Sequence, residues 1–300
     1  MGNLNLFCNY PNDDKKFSQK MMRAKTDRVK DSKMIKKFIS TYDIDKSEMI
    51  TPDFEIKNCP SFNGMSELNH NNCLYLCGGQ ENQNGGTYLL KFDPTTHKLE
   101  TLINSKHYHH NPTLCIAKGY LYCIGGEDKK AERYNLTENY WEDLPSLKLE
   151  RSGSTAYFCE DNDYLYLFGG FLSLKNNNTD LVIRIKVVKD LIDIGWEDCF
   201  INKTSPLIKK SLMCVIPVTS STILLVGGDT YDKQTFNPCS QVVKVDFKEE
   251  TIYLEECKLK RPSTFLNRNS VLYCNNNYAI LFDEQYRIHK YFYMEKVFVD

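Results

Sequence analysis

The sequence predicts an all-β fold, a β-propeller of six blades with four antiparallel strands in each. Four apolar runs end in a pair of glycines, and the pairs follow one another at intervals of 47, 44 and 58 residues, the range of propeller blades. At about 50 residues per copy, a chain of 300 residues has room for six copies. The pairs are Gly78-Gly79, Gly125-Gly126, Gly169-Gly170 and Gly227-Gly228.

Two short strands are predicted ahead of the glycine pairs in three copies. The second strand of each copy is apolar on both faces, as in Tyr164–Phe168, which is typical of a sheet covered on both sides. The predicted strand pairs are 112–117 with 119–124, 153–158 with 164–168, and 212–218 with 222–226.

An outer hairpin is predicted after each glycine pair, because a third strand is followed by a turn rich in Asp or Asn and then by a fourth strand. Such hairpins are predicted near Tyr42, Phe92, Tyr134, Ile185, Val245 and Tyr291. The first hairpin has no glycine pair ahead of it, so the first blade is expected to be degenerate. In the last copy Asp283-Glu284 stands where the glycines are expected.

The copy with Gly125-Gly126, Tyr134 and Trp141 resembles the kelch repeat family. The mark of that family is a double glycine closing the second strand, a tyrosine in the third strand and a tryptophan in the fourth. The copy at Gly169-Gly170 keeps Trp196 but has Ile185 in place of the tyrosine. The resemblance covers residues from about 36 to 300 and implies a kelch-type β-propeller.

Composition and charge favour one repeat domain and argue against several classes of function. The net charge of -1 argues against nucleic-acid binding, because proteins that bind nucleic acid carry an excess of positive charge. The cysteines lie scattered in apolar runs, no signal peptide is visible at Met1–Tyr10, and no run of 18 apolar residues occurs. Free thiols and a cytoplasmic location are therefore expected. Residues 36–300 are expected to form the propeller, and residues 1–35 a basic extension that is helical or disordered.

One rim of the propeller is expected to carry the function, because loops converge there while strands only support them. The loops after the glycine pairs share this rim with the segments that lead into each first strand. Proteins of the kelch type often use rim arginines for acidic or phosphorylated peptides, and a guanidinium fork suits a carboxylate. The alternative is that these charges are simply solvated. The residues predicted to contact a partner are Arg151, Arg261, Arg268, Lys209, Lys210, His107 and His109.

The histidine cluster at His107, His109 and His110 is the nearest approach to a metal site. No carboxylate is close in sequence, and a catalytic metal needs three placed ligands with supporting partners. Loop packing or rim contact is the favoured interpretation, and no metal or cofactor is expected. Phosphate-cradling loops, nucleophile elbows and HExxH motifs are absent.

The N-terminus offers a membrane alternative. Gly2 meets the first requirement for myristoylation, Cys8 could be acylated, and a basic stretch from Lys15 to Lys37 could meet an anionic surface. Leu6 stands where Ser or Thr is expected, so an unmodified basic extension is favoured.

The function expected from the sequence is a non-catalytic protein-interaction module that presents a basic loop rim to a partner with acidic residues, as an adaptor or substrate-recognition scaffold. Two alternatives stay open, an enzyme with its site at the channel mouth and a scaffold anchored to a membrane. Convergent carboxylates or histidines on different blades would favour the enzyme.

Overall fold

The computed structural model describes residues 20–28, 35–57, 59–81, 85–189, 194–202, 206–239, 241–248, 251–257, 271–274, 278–282, 288–292 and 297–299. Within these ranges the regular structure consists of β-strands and two single-turn 3-10 helices, Ser173–Lys175 and Pro206–Ile208, with no α-helix. The all-β class predicted from the sequence is confirmed. Among the described residues no helix is long and apolar enough to cross a membrane.

Six sheets of three or more strands follow one another along the described chain, and each is built on an antiparallel meander, to which the fifth sheet adds one parallel strand. The first sheet contains β1 Lys20–Arg28, β2 Ile35–Asp43 and β3 Glu48–Ile56. The second contains β4 Met65–His70, β5 Cys73–Glu81, β6 Thr87–Asp93 and β7 Lys98–Thr101. The third contains β8 Thr113–Ala117, β9 Tyr120–Ile124, β10 Ala131–Asn135 and β11 Tyr140–Asp143.

The fourth and fifth sheets each carry an additional two-stranded hairpin after the glycine pair. The fourth sheet contains β12 Thr155–Cys159, β13 Tyr164–Phe168, β16 Val182–Lys186 and β17 Glu197–Asp198, and its hairpin contains β14 Phe171–Leu172 and β15 Asn177–Asn178. The fifth contains β19 Cys214–Thr219, β20 Thr222–Val226, β23 Val242–Lys248 and β24 Thr251–Cys257, and its hairpin contains β21 Asp229–Asp232 and β22 Thr235–Pro238.

The outer edge of the fifth sheet receives one more strand. The segment that leaves the fourth sheet forms β18 Phe200–Ile201, which runs parallel to β24. The sixth sheet contains β25 Val271–Cys274, β26 Tyr278–Phe282, β27 Ile288–Phe292 and β28 Val297–Val299. The strands predicted ahead of the glycine pairs and the six predicted outer hairpins are all present.

Strand β1 lies where the sequence suggested a helical or disordered basic extension. It pairs along its whole length with β2, from Lys20 opposite Asp43 to Arg28 opposite Ile35. Met22 is fully buried and Ala24 packs against the same cluster, so apolar residues recur at every second position, the period of a strand. The residues before Lys20, with Gly2 and Cys8, lie outside the described part of the chain.

The other edge of β1 is covered by side chains of the second sheet. The N–H of Met22 donates to Oδ1 of Asn69 at 2.9 Å, and Nδ2 of Asn69 donates to the carbonyl of Met22 at 2.8 Å. The N–H of Ala24 donates to Oε2 of Glu67 at 2.8 Å. These two side chains provide hydrogen bonds that another strand would provide along that edge.

The cores lie between consecutive sheets. Buried residues of β9 such as Tyr122 and Ile124 form one cluster with Leu165 and Leu167 of β13. The first strands of consecutive sheets also contact one another, in the pairs β4 with β8, β8 with β12, β12 with β19, and β19 with β25, and β1 contacts both β4 and β25.

The glycine pairs lie where one sheet meets the segment leading into the next. A Cβ on Gly78 would lie 2.9 Å from the carbonyl oxygen of His109, and one on Gly125 would lie 2.8 Å from that of Arg151. A Cβ on Gly126, whose φ is +105°, would collide with the carbonyl oxygen of His110. The sequence-based explanation of the pairs, positive φ combined with close backbone approach, is confirmed at these positions.

Two arginines that were not singled out in the sequence, the buried Arg133 and the half-buried Arg184, join strands within the third and fourth sheets. The guanidinium of Arg133 lies 4.1 Å from the ring centroid of Tyr120, and its Nε donates to Glu142 at 2.8 Å. In the fourth sheet Arg184 repeats this arrangement with Tyr164 at 4.1 Å and Glu197 at 3.0 Å. The terminal nitrogens of Arg133 also donate to the carbonyls of residues 188 and 189, which tie the third sheet to the fourth.

Candidate interaction surface

Three residues predicted to contact a partner occupy one equivalent position, just ahead of a first strand. The second glycine of each of the first three pairs donates its N–H to the carbonyl of this position in the next sheet, from Gly79 to His109 at 2.8 Å and from Gly126 to Arg151 at 3.0 Å. Gly170 donates in the same way to Lys210 at 2.7 Å. We refer to His109, Arg151 and Lys210 as the lead-in residues.

The side chain of Arg151 turns inward and is 2% exposed. Its Nη1 donates to the carbonyl of Leu181 at 3.2 Å. Burial lowers the pKa of the guanidinium to about 10, so it is still charged at neutral pH. An arginine held in this way has no open fork for a carboxylate, so the expectation that Arg151 grips an acidic ligand is not met by its position.

Lys210 is buried as well, and its Nζ donates to Oε1 of Gln241. Its neighbour Lys209 is half-buried, with its side chain nearer the surface. Arg261 and Arg268 lie outside the described residues. Of the five basic residues predicted to face a partner, two are therefore interior, one is near the surface and two are undescribed.

His109 is fully buried against Glu132 of β10. Its Nδ1 lies 2.8 Å from the carbonyl oxygen of Gly125, and its Nε2 lies 3.0 Å from Oε1 of Glu132. Glu132 also accepts hydrogen bonds from the backbone N–H groups of Lys106 and His107. The bond within this pair and three further hydrogen bonds to it fix the segment that leads into β8, so the buried His109 supports the loop from inside.

His107 lies nearer to solvent, with its Nε2 2.7 Å from Oδ1 of Asp143. Burial alone would raise the pKa of Asp143, but hydrogen bonds from His107 and Lys106 outweigh it and hold that pKa below its ordinary value. Each histidine of the cluster thus has a carboxylate partner that is distant in sequence, His110 being paired with Glu127 at 3.1 Å. The described residues hold no group of three or more side chains placed to bind a metal ion.

Two hairpins that follow glycine pairs, β14–β15 and β21–β22, pack together and form a joint apolar surface that sequence reasoning missed. The ring of Phe171 in β14 lies 5.0 Å from the rings of both Tyr231 and Phe236 in the β21–β22 hairpin. The rings of Tyr231 and Phe236 are 4.9 Å apart. Asn178 of β15 adds a hydrogen bond of 2.7 Å to the carbonyl of Asp229. The two hairpins therefore behave as one unit, which we term the double hairpin.

Large apolar side chains of the double hairpin face solvent. Leu174 is 85% exposed and Phe236 is 49% exposed. The N–H of Leu174 donates to the buried carboxylate of Glu150 at 2.9 Å, so the backbone is held while the side chain points outward. Exposed apolar side chains on an anchored backbone are typical of interaction surfaces.

The described rim is mixed in charge. The loop after Gly126 exposes Glu127, Asp128 and Lys129. The double hairpin exposes Lys175 on one side and Asp232 beside Lys233 at the other tip. A strongly basic rim is therefore not visible in the described residues, because Arg151 and Lys210 point inward.

The glycine and aromatic positions singled out in the sequence are structural. Tyr134 packs on Trp141 with ring centroids 5.2 Å apart, between the second and third sheets. Trp196 is buried directly before β17, between the third and fourth sheets.

Comparison with known proteins places the third sheet in a named family. The family model of the kelch motif matches residues 109–148, which run from the lead-in residue His109 through β11 and contain Gly125-Gly126, Tyr134 and Trp141. This is the copy in which the sequence showed the full set of kelch residues.

Poxvirus proteins are among the relatives of this chain. It is 30% identical over 132 residues to the kelch repeat protein M-T9 of Myxoma virus (strain Lausanne), an alignment that covers 42% of this chain and 24% of that protein. It is 31% identical over 104 residues to the kelch repeat protein C2 of Vaccinia virus (strain Western Reserve) and of Cowpox virus (strain GRI-90 / Grishak), which covers 33% of this chain and 20% of those proteins. The matched segment spans a quarter or less of the length of these relatives.

Proposed function

Because the kelch motif model matches the third sheet and the similar proteins are kelch repeat proteins, we propose that this chain is a non-catalytic protein-interaction module that binds a partner protein through one rim of a β-propeller. The double hairpin is the observation that carries the proposal, because it holds exposed Leu174 and Phe236 on a fixed backbone at that rim. A few anchor residues that become buried on binding supply most of the binding energy in protein interfaces.

The architecture that we propose is a closed ring of six blades. The contacts of the first strands support closure, since they run from β1 through β4, β8, β12 and β19 to β25, and β25 contacts β1 again. The first blade would have three described strands, and it would begin at Lys20 and not at residue 36.

Hydroxyl groups strengthen the joints between the proposed blades. Oγ1 of Thr113 at the start of β8 donates to the carbonyl of Ser154 ahead of β12, at 2.9 Å. Oγ1 of Thr155 donates in the same way to Met213 ahead of β19, at 2.8 Å. Ser66 of β4 makes the equivalent bond to Pro112. Repeating joints of one geometry are what a radial arrangement of like sheets requires.

An acidic segment in the partner remains part of the proposal. It now depends on Lys209, Arg261 and Arg268, because Arg151 and Lys210 are interior. A cytoplasmic location and a role as adaptor or scaffold are proposed with it. Free thiols at the described cysteines are consistent with a reducing compartment.

Partner capture with rim variants tests the proposal. The wild-type chain would be used to isolate partners from a cell lysate, and binding of each candidate would then be measured with purified components. Replacing Leu174 and Phe236 by serine should weaken binding at least tenfold. Phe200→Ser is the matched control, because Phe200 is 77% exposed but lies in β18 on the outer edge of the fifth sheet.

A second variant tests the charge component. Lys209→Ala combined with Arg261→Ala and Arg268→Ala should weaken binding more at low salt than at high salt, since exposed charge pairs are screened. Binding that is unaffected by both the apolar and the charge variants would exclude this rim as the contact surface.

A further inference from the structure

Two cysteine sulfurs face each other in the core between the second and third sheets. The Sγ atoms of Cys77 and Cys123 lie 3.6 Å apart, and both residues are fully buried. Cys77 belongs to β5 and Cys123 to β9, the second strands of their sheets. A disulfide has sulfurs about 2.05 Å apart, so bond formation requires an approach of roughly 1.5 Å.

The repeat geometry brings these two positions together. Cys77 directly precedes a glycine pair, and Cys123 stands two residues before the next pair. The same two positions also meet at the next two interfaces between sheets. Between the third and fourth sheets they are Ile124 and Leu167, which share one buried cluster. Between the fourth and fifth sheets they are Phe168 and Leu225, which share another. Of these three interfaces, the first is the one in which both positions carry sulfur.

The surroundings of the two thiols are apolar. Tyr75, Leu89 and Leu121 belong to the same buried cluster. Burial and the neighbouring thiol of Cys77 raise the pKa of Cys123 well above its ordinary value. Because the site is buried, large or charged reagents are excluded from it, whereas a small neutral oxidant can reach it when the sheets open locally. The same opening exposes the thiols to water, which removes the burial that suppresses their reactive thiolate form.

We propose that Cys77 and Cys123 form a reversible disulfide on exposure to hydrogen peroxide, and that this bond fastens the second sheet to the third. Peroxide first oxidises one sulfur to a sulfenic acid and releases one water. The other sulfur then attacks it, the S–O bond breaks, and the hydroxyl leaves with the thiol proton as a second water. The two thiols lose two protons and two electrons, and the peroxide O–O bond is reduced to two waters.

The bond would change the properties of the ring independently of partner binding. It would close a chain segment of 46 residues, which restricts the unfolded chain. We therefore expect the oxidised protein to unfold about 5 °C or more above the reduced protein, and reductant to reverse the shift.

Oxidation of the folded full-length chain tests the inference. Reduced protein is treated with hydrogen peroxide, the reaction is quenched, and free thiols are blocked with N-ethylmaleimide in denaturant. Mass spectrometry should show two fewer blocked thiols and a linked pair of peptides that contain Cys77 and Cys123. Thermal unfolding with and without dithiothreitol measures the shift.

Cysteine variants provide the controls. Cys77→Ala should lose both the linked peptides and the thermal shift, and Cys123→Ala serves in its place if the first variant fails to fold. Cys159→Ala should keep both, because Cys159 is equally buried and its Sγ donates to the carbonyl of Ser220. The inference is overturned if peroxide links other cysteines first, or if Cys77 and Cys123 stay blockable after the half-buried thiols have been oxidised.

Discussion

The indole Nε1 of Trp141 donates a hydrogen bond to the carbonyl oxygen of Ile103, 2.7 Å away and two residues past the end of β7. Trp196 repeats the bond one sheet later, to the carbonyl of Pro145 at 2.8 Å and two residues past the end of β11. Each tryptophan therefore joins its own sheet to the segment that leaves the preceding one.

Removing the indole N–H at this joint should destabilise the protein. Trp141→Phe keeps an aromatic ring but leaves the carbonyl of Ile103 without its donor, which should lower the free energy of unfolding by about 1 to 3 kcal/mol. Trp196→Phe should have a similar effect at the next joint. Urea unfolding followed by circular dichroism measures both, and an unchanged midpoint in either variant would show that the bond does not stabilise the joint.

Adding a side chain at the glycine pair should be more costly than adding one at a turn glycine. Gly126→Val combines the strain of φ +105° with a collision at the carbonyl of His110, and we expect a loss of about 3 kcal/mol or more. Gly119→Ala is the control, because φ is +82° but nothing lies within 4 Å of the added Cβ. It should lose about 1 to 2 kcal/mol. Equal losses in thermal unfolding would rule out the close approach as the cause.

Arg151 should contribute to the stability of the fold, because its guanidinium is buried and bonded inside the protein. Arg151→Ala removes a buried side chain and the donor to Leu181, so we expect a loss of about 2 to 4 kcal/mol. Lys148→Ala removes an exposed ion pair with Asp198 and should change stability by less than about 1 kcal/mol. Wild-type stability in Arg151→Ala would contradict the buried position of the guanidinium.

His70 should make stability depend on pH in the neutral range. Burial lowers the pKa of His70 below its ordinary value of 6.5, so the fold favours the neutral imidazole. The unfolded chain then binds the proton more readily, and stability falls as the pH drops through 6.5 toward the folded pKa. The unfolding midpoint of the wild type should fall between pH 7 and pH 5.5, and His70→Gln should show a flatter profile.

Carboxylates such as Asp143 should not contribute to the change in stability between pH 7 and pH 5.5 that is assigned to His70. The pKa of Asp143 is held below its ordinary value, so its contribution is present above that value and is lost only in more acidic solution. An identical slope between pH 7 and pH 5.5 in wild type and His70→Gln would assign the dependence to other groups.

Local patterns were sufficient for the strands and the glycine pairs. The continuous apolar run Tyr164–Phe168 by itself predicts a buried strand. The pair at Gly125-Gly126 by itself predicts a backbone conformation that favours glycine, which Gly126 adopts. The direction of the lead-in side chains could not be predicted in this way, because Arg151 and Lys210 look like loop charges when they are considered singly. Their constant distance of 16 to 18 residues ahead of the next glycine pair, shared with His109, is the signal that would have identified them as equivalent.

The double hairpin was missed for a different reason. Its tight turn has Lys233 and Gln234 at φ values of 47° and 65°, where Asn or Gly is the usual signal. Segments 171–178 and 229–238 are among the loops that the sequence predicts after the glycine pairs, and the second carries no Asn-Gly turn signal that would mark it as a hairpin. Strand β1 was missed because lysines and arginines mask the alternation at Met22 and Ala24.

Asn69 and Glu67 protect the outer edge of β1, the first strand of the first sheet, from pairing with another chain. An open strand border recruits foreign chains through its backbone, and sheets with such borders polymerise. Here one amide and one carboxylate already occupy the Met22 and Ala24 positions of that border. We therefore expect the protein to stay monodisperse in solution, because the backbone groups of Met22 and Ala24 are already bonded and are not available to a second chain.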